Sequence, residues 1–289
     1  MASCEQDLKS CDVEMLNKLV EIPANKWPVL RDLYTKRKDR AACYNLLQSF
    51  ISWKNKEPEL ELTIYSLNGD WEADGTFIAK FLNQIFFNTC SDNVQQVLKA
   101  LKCLDPSEYY VLSGYQDFLV PVVKQYLKDC GFDEADYNPT STFWYHIPKE
   151  QAKQFQIEPP NNIELKPLEE CHVEQINNMW SHRLPYSVEM ITTLIRHNES
   201  VGIFEDENLV GWCLIRPLGS LGLLRILDSH KRRGLGNLAV RYLSKFLADN
   251  DIEVAATVVF DNVPSCSMFD KLGFKVIDKV YWVDKPANK

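Results

Sequence analysis

The spacing of apolar residues divides the second half of the chain into short alternating elements. Ile163 to Leu168 alternates as a strand; Cys171 to Trp180 and Ser187 to His197 carry helical spacing, with Ser187 in the N-cap role. A hairpin over Val201 to Phe204 and Leu209 to Arg216 turns through Glu205-Asp206-Glu207-Asn208, a sequence that reads as a solvated tip. Leu221 to Asp228 is a strand. Gly234 to Ala248 then puts Leu235, Leu238, Ala239, Tyr242, Leu243, Phe246 and Leu247 on one helical stripe. Glu253 to Phe260 is a β-branched strand, Pro264 to Leu272 a short helix stopped by Gly273, and Phe274 to Val276 and Val280 to Val283 close as two strands.

The first half carries a faint echo of this order. Tyr109 to Leu112, a helix through Val120 to Leu127, Cys130-Gly131-Phe132 and Phe143-Trp144-Tyr145 follow one another as do the last strand, helix, Leu272-Gly273-Phe274 and Tyr281-Trp282. Leu62 to Leu67, Asn68-Gly69-Asp70 and Thr76 to Ala79 form a second hairpin pattern like that of Val201 to Leu214. Either a degenerate internal duplication or chance similarity accounts for it. The polar run Pro148 to Asn162, ending in Pro159-Pro160-Asn161-Asn162, reads as a linker between units at 1–155 and 160–289; a length of 289 residues also favours two domains.

Charge narrows the function. With 32 Lys and Arg against 40 Asp and Glu, net −8, the chain is a poor match to nucleic acid. The run Lys36-Arg37-Lys38-Asp39-Arg40 reads as a solvated helix face. Nine cysteines, Cys4, Cys11, Cys43, Cys90, Cys103, Cys130, Cys171, Cys213 and Cys266, form no CxxC pair, which points to free thiols and a reducing compartment, with no metal expected. Met1 to Glu14 holds four acids and no arginine, so the expectation is a cytoplasmic protein without a targeting leader or a membrane-spanning helix.

The chemistry concentrates in Asp228-Ser229-His230-Lys231-Arg232-Arg233-Gly234-Leu235-Gly236-Asn237, between a strand and a helix. A helix N-terminus offers unpaired N–H groups, glycines admit close backbone approach, and Lys231, Arg232 and Arg233 add cationic potential, so phosphate or pyrophosphate is the natural occupant. Gly234-Leu-Gly236-Asn-Leu-Ala239 also fits a dinucleotide-binding turn, with Asp261 as the ribose acid. Three basic residues where a buried strand should meet the first glycine, and too little chain to complete a doubly wound sheet, count against that alternative.

Lys231-Arg232-Arg233-Gly234-Leu235-Gly236 resembles the R/Q-x-x-G-x-G/A acyl-CoA pyrophosphate loop of the GNAT superfamily of N-acyltransferases, and Asn262 to Phe274 resembles its N-x-x-A-x-x-L-Y-x-K-x-G-F signature one strand later. Together with Gly211-Trp212-Cys213-Leu214, they look like the glycine N-acyltransferase-like branch, in which a degenerate GNAT-type domain precedes the working one. The resemblance implies an α+β GNAT fold, a mixed, mostly antiparallel sheet flanked by helices. It implies transfer from acetyl-CoA or a longer acyl-CoA to a small amine or an amino acid such as glycine, by direct attack in a ternary complex. A mitochondrial location also fits that branch.

By the same resemblance, the strands Leu221 to Asp228 and Glu253 to Phe260 splay around pantetheine, with a β-bulge making the split. Pantetheine bonds near Ile226, Leu227 and Asp228; the pyrophosphate rests on Lys231, Arg232, Arg233, Gly234, Leu235, Gly236 and Asn237. A backbone N–H near Leu227 serves as oxyanion donor, and Asn262, Ser265 and Phe269 also touch the cofactor. Two positions depart from the pattern: Phe269 stands where a tyrosine usually protonates the thiolate, and Ser220 where a glutamate base is expected. Ser265, Cys266 or water is the candidate replacement acid, and a noncatalytic acyl-CoA-binding protein is the alternative function.

His146, His172, His182, His197 and His230 share no catalytic spacing and read as surface or packing residues, His230 excepted by its place before the loop. Asp228 reads as a salt-bridge partner or a base. Trp180, Trp212 and Trp282 read as core. Arg183, Arg216 and Arg225 are equal candidates for a substrate carboxylate.

Overall fold

The computed structural model describes residues 17–285; the Met1 to Glu14 stretch, with Cys4 and Cys11, lies outside the described residues. Twelve strands form one sheet: β1 (Leu19–Glu21), β2 (Leu62–Leu67), β3 (Phe77–Phe81), β4 (Gln84–Asn88), β5 (Tyr110–Gln116), β6 (Thr140–Ile147), β7 (Ile163–Lys166), β8 (Ser200–Glu205), β9 (Asn208–Ile215), β10 (Ser220–Ile226), β11 (Val254–Val259) and β12 (Lys275–Lys285). The helices are α1 (Trp27–Leu33), α2 (Ala41–Lys56), α3 (Trp71–Asp74), α4 (Gln95–Leu101), α5 (Val120–Asp129), α6 (Lys149–Ala152), α7 (Val173–Met179), α8 (Ser187–His197), α9 (Leu235–Asp249) and α10 (Val263–Lys271).

The strand order is β1-β2-β3-β4-β5-β12-β6-β11-β10-β9-β8-β7. From either edge, five strands run inward in chain order, and the last strand of each half crosses to the other: β12 lies against β5, and β6 against β11. Only β4 with β5 and β10 with β11 are parallel. β6 aligns six residues with β11, from Ile147 opposite Val254 to Thr142 opposite Val259, so the exchange welds the halves through main-chain bonds.

The halves also share a detail at the ends of α5 and α10. Gly131 and Gly273 adopt φ of +89° and +92°. Phe132 N–H donates to Leu127 O (3.0 Å) and Gly131 N–H to Lys128 O (2.9 Å); Phe274 N–H donates to Phe269 O (3.1 Å) and Gly273 N–H to Asp270 O (3.1 Å). These are the same left-handed glycine caps; after Phe274 the chain enters β12 at once, whereas after Phe132 a loop intervenes before β6.

Several sequence expectations are revised. The two final strands are one, β12, because register shifts at Val276/Asp278 and Tyr281/Trp282 break the alternation without ending the pairing. Ser187 is the first residue of α8 rather than its cap; its Oγ accepts the Leu184 N–H (2.5 Å). The run Lys36 to Arg40 forms short 3₁₀ turns, not a helix face. Arg40 is buried, donates to Thr89 O and lies 3.8 Å over the Phe118 ring. The polar run after β6 begins with α6, which docks on α9, where Lys245 donates to Lys153 O (2.8 Å). No helix of the described residues is long and apolar enough to cross a membrane.

Candidate functional site

β10 and β11 pair only at Ser220 with Ala255 and Leu221 with Ala256, and then part. The cause lies in β10. Gly222 faces Leu214 and Arg225 faces Trp212, so β10 carries one extra residue against β9, and Leu223 takes φ of +50°. A bulge at Leu223-Leu224 bends the strand away from β11. A left-handed leucine costs roughly 1–3 kcal/mol and persists only where its surroundings impose it. The split opens a cleft of about 340 Å³, walled by Leu221 to Arg225 on one side and Thr257 to Val259 on the other, with Asn262, Ser265 and Phe269 along the α10 side.

At the far end of β10 the chain makes a 3₁₀ turn over Asp228–His230 and enters α9 through Gly234, whose φ of +79° favours glycine. The first main-chain bond into the helix is Leu238 N–H to Gly234 O (3.0 Å), which leaves the N–H groups of Leu235, Gly236 and Asn237 without main-chain acceptors at the positive end of a 15-residue helix. A Cβ built on Gly236 would meet only Met268 Sδ at 3.6 Å and Ile226 Cγ1 at 3.7 Å. The α9 start, Ile226 and α10 therefore converge.

The three cations of the loop are not equivalent. Lys231 pairs with Asp228 (2.6 Å), and Arg233 forks onto Glu205, Nη2 to Oε1 at 2.5 Å and Nη1 to Oε2 at 3.1 Å. Among the described residues, Arg232 has no ion-pair partner; with φ of +62° it is the cation left for a phosphate. Asp228 acts as a salt-bridge partner, its carboxyl held below the usual range by Lys231.

Glu205, read from sequence as part of a solvated tip, is the anchor of the loop. Besides Arg233 it accepts from Asn162 Nδ2 (2.5 Å) and from His230 Nε2 (2.8 Å), and Arg233 with His230 lowers its pKa to about 2. A carboxylate only accepts, so His230 carries a proton on Nε2, and its Nδ1 lies 2.7 Å from the Ser229 hydroxyl. His230 is thereby a brace between hairpin and loop. The signal for Glu205 was available only in three dimensions, since 25 residues separate it from His230.

The other expected residues fall as follows. Asn262 caps α10, its Oδ1 accepting Ser265 N–H (3.2 Å). Phe269 lines the cleft while its ring stacks on Tyr145 (5.5 Å between centroids) and meets Phe274 at 85°. Ser220 is fully buried, its Oγ has no hydrogen-bond partner, and it does not line the cleft, so no base stands there. Leu227 N–H donates to Val210 O (2.8 Å) and is not free for an oxyanion; the unpaired backbone lies at the Leu223-Leu224 bulge instead. Trp180, Trp212 and Trp282 all line the cleft; Trp212 is buried in the core behind it, and Trp180 and Trp282 are half-buried.

Among the described residues, the N-terminal half has no equivalent site. Its parallel pair β4/β5 is followed by Thr89-Cys90-Ser91-Asp92, without glycine, and Arg37 and Arg40 bond the Cys90 and Thr89 carbonyls while pairing with Asp92. β4 is buried along its length by Ile85, Phe86 and Phe87. The half's own contribution to the cleft is Asn83, Gln84, Val111, Asn138, Thr140 and Thr142. Among the described residues, no group of three His, Cys, Asp or Glu could hold a metal ion.

The FR47-like protein family matches residues 200–283, which span the hairpin, the split, the loop and α10. Comparison with curated protein sequences finds no match. Among solved structures, a Drosophila protein from a structural genomics consortium superimposes with a TM-score of 0.85 at 19% identity, over 94% of this chain and all of the other. A tandem GNAT protein from the clavulanic acid biosynthesis pathway gives 0.58 at 12% identity, again over 94% and 100%. A GCN5-related N-acetyltransferase from Sphaerobacter thermophilus gives 0.55 at 10%, over 95% and 97%. The chain has the tandem GNAT fold: an α+β architecture of one large, mostly antiparallel sheet flanked by helices.

Proposed function

We propose that this chain is an acyl-CoA-dependent N-acyltransferase that moves an acyl group to the amine of a small acceptor, amino acids such as glycine included. The observation that carries the reading is the continuous path from the β10/β11 split, past the Leu223-Leu224 bulge, to the free N–H groups of α9 and Arg232. It suits a ligand with an extended amide arm and a pyrophosphate. The reading divides the chain into a degenerate unit through residue 155 and a working unit from residue 160. It also favours the glycine N-acyltransferase-like branch, whose two-unit layout matches the mirrored strand order.

In this reading the pantetheine lies along β10, the thioester carbonyl takes a bulge N–H, and Asn262 and Ser265 border the arm. The acceptor enters from the wall shared by α7, α8 and the N-terminal half. Proximity and alignment of amine and thioester supply most of the rate. The leaving thiol, of pKa ~8.5, departs as thiolate without an acid at Phe269; the amine loses its proton to water in the open cleft.

The test is incubation with acetyl-CoA and longer acyl-CoAs and a panel of amines and amino acids, following thiol release and product mass together. Equal amounts of thiol and N-acyl product are expected. CoA binding without product on any acceptor would establish instead a noncatalytic acyl-CoA-binding protein, the reading that Phe269 and the buried Ser220 favour.

A further inference from the structure

The cleft wall holds several polar side-chain atoms that are buried and have no partner: Arg216 Nε, Arg225 Nε, Trp282 Nε1, Asn83 Nδ2 and Thr257 Oγ1. Buried polar groups are nearly always satisfied, so each such atom calls for an account. Four of the five are N–H donors, and two of those belong to guanidinium groups. Donors gathered without acceptors define what is missing, an anion rich in lone pairs.

Arg216 is the centre of this set. Its guanidinium lies 4.7 Å over the Trp282 ring, and among the described residues it has no hydrogen bond and no carboxylate partner. Burial alone pulls its pKa down to about 10. Its Nε is shut off from water, whereas the side chain as a whole is only part-buried on the cleft wall, so a counter-ion from outside the chain can reach the guanidinium there. Arg183, by contrast, is exposed and bonded to Asn178 O, and Arg225 has Asp228 at 3.8 Å. The one carboxylate on the wall, Asp284, already accepts from the Tyr109 hydroxyl (3.2 Å).

Space has been kept for the Arg216 side chain. A Cβ on Gly222, the residue at which β10 begins to bulge, would stand 2.6 Å from Arg216 Cδ. The arginine therefore runs against the backbone of the split itself, beside the expected reacting centre.

We infer that Arg216, with the Trp282 N–H, forms a carboxylate subsite that determines which substrate reacts. Planar, bidentate recognition is what a guanidinium does best. This inference rests on the acyl-transfer reading for its place in the reaction, but the subsite is testable by binding alone. The carboxylate belongs either to the acceptor, as in an amino acid, or to the acyl group, as in a malonyl thioester.

The experiment pairs carboxylates with neutral partners. Calorimetry compares N-acetylglycine with N-acetylglycinamide, and malonyl-CoA with acetyl-CoA, on the wild type, Arg216→Gln and Arg216→Lys; kcat/KM is measured for glycine against glycinamide and for the two thioesters. A preference of about 100-fold for the carboxylate is expected in one of the two pairs, which names its source. It should collapse to within a few-fold in Arg216→Gln and recover only in part in Arg216→Lys, while CoA itself binds both variants as it binds the wild type, which shows that they are folded. Equal binding within both pairs, or a preference that persists in Arg216→Gln, overturns the subsite. A preference that depends on Arg216 with no turnover on any acceptor keeps the subsite and overturns acyl transfer.

Discussion

Replacing Gly236 by aspartate should leave the fold intact and remove acyl-CoA binding. A side chain at this position meets Met268 Sδ and Ile226 Cγ1 at ordinary van der Waals distances, and Gly236 is not among the positive-φ residues. The position is the second of α9, where a carboxylate interacts favourably with the helix dipole by about 0.3–1 kcal/mol, and exchanging glycine for any residue of better helix propensity adds a few tenths. The folded protein should gain up to about 1 kcal/mol, or a few degrees in Tm. In the complex the same carboxylate confronts the pyrophosphate. At ~5 Å and an effective dielectric constant of about 20, each phosphate charge costs about 3 kcal/mol, which is more than 100-fold in Kd. Gly236→Ala, with the Cβ but no charge, should share the gain in stability and weaken binding by only about tenfold. Calorimetric titration with CoA beside thermal unfolding separates the two effects. A folded Gly236→Asp protein with wild-type affinity would refute the placement of the pyrophosphate on α9.

Glu205→Gln should raise KM for acyl-CoA more than it lowers kcat, because it frees the loop without touching the acceptor side. With its folded pKa lowered to about 2 against ~4.3 unfolded, Glu205 stabilises fully above pH ~4.3 and loses that contribution as pH falls toward 2. The urea-unfolding gap between wild type and variant should therefore close on acidification, and a widening gap would contradict the anchor role. Gly131→Ala and Gly273→Ala should each destabilise by roughly 1–2 kcal/mol in the same assay, since both need φ near +90° and neither has a neighbour closer than 3.9 Å to a new Cβ; strongly unequal losses would speak against equivalent caps. Ser220→Ala removes an orphaned hydroxyl from the core and should keep kcat and gain up to about 1 kcal/mol; a tenfold fall in kcat would put Ser220 back in the machinery.

The elements flanking the loop were legible because each has a local cause: the stripe of α9, the β-branched run of β11, the glycine stop at Gly273. The exchange of β6 and β12 was not, since nothing in Phe143-Trp144-Tyr145 or Tyr281-Trp282 says which parallel pair they join. The loop's glycines could be read as an anion site, and Asp228 as a salt-bridge partner, but not the pairing that withdraws Arg233 from the loop, because Glu205 reaches it from a hairpin tip whose composition looks solvated. Arg216 could not be told from Arg183 and Arg225 in sequence. Exposure sets Arg183 apart and the nearby Asp228 sets Arg225 apart, and both are properties of the whole fold.

The central claim is that acyl-CoA lies in the β10/β11 split with its pyrophosphate on α9, and hydrogen–deuterium exchange with and without CoA tests it most directly. Protection is expected at the amides of residues 223–226 and 232–237, with the matching segment 89–101 of the N-terminal half unchanged. Protection at 89–101, or none at 232–237 when CoA is saturating, would contradict it.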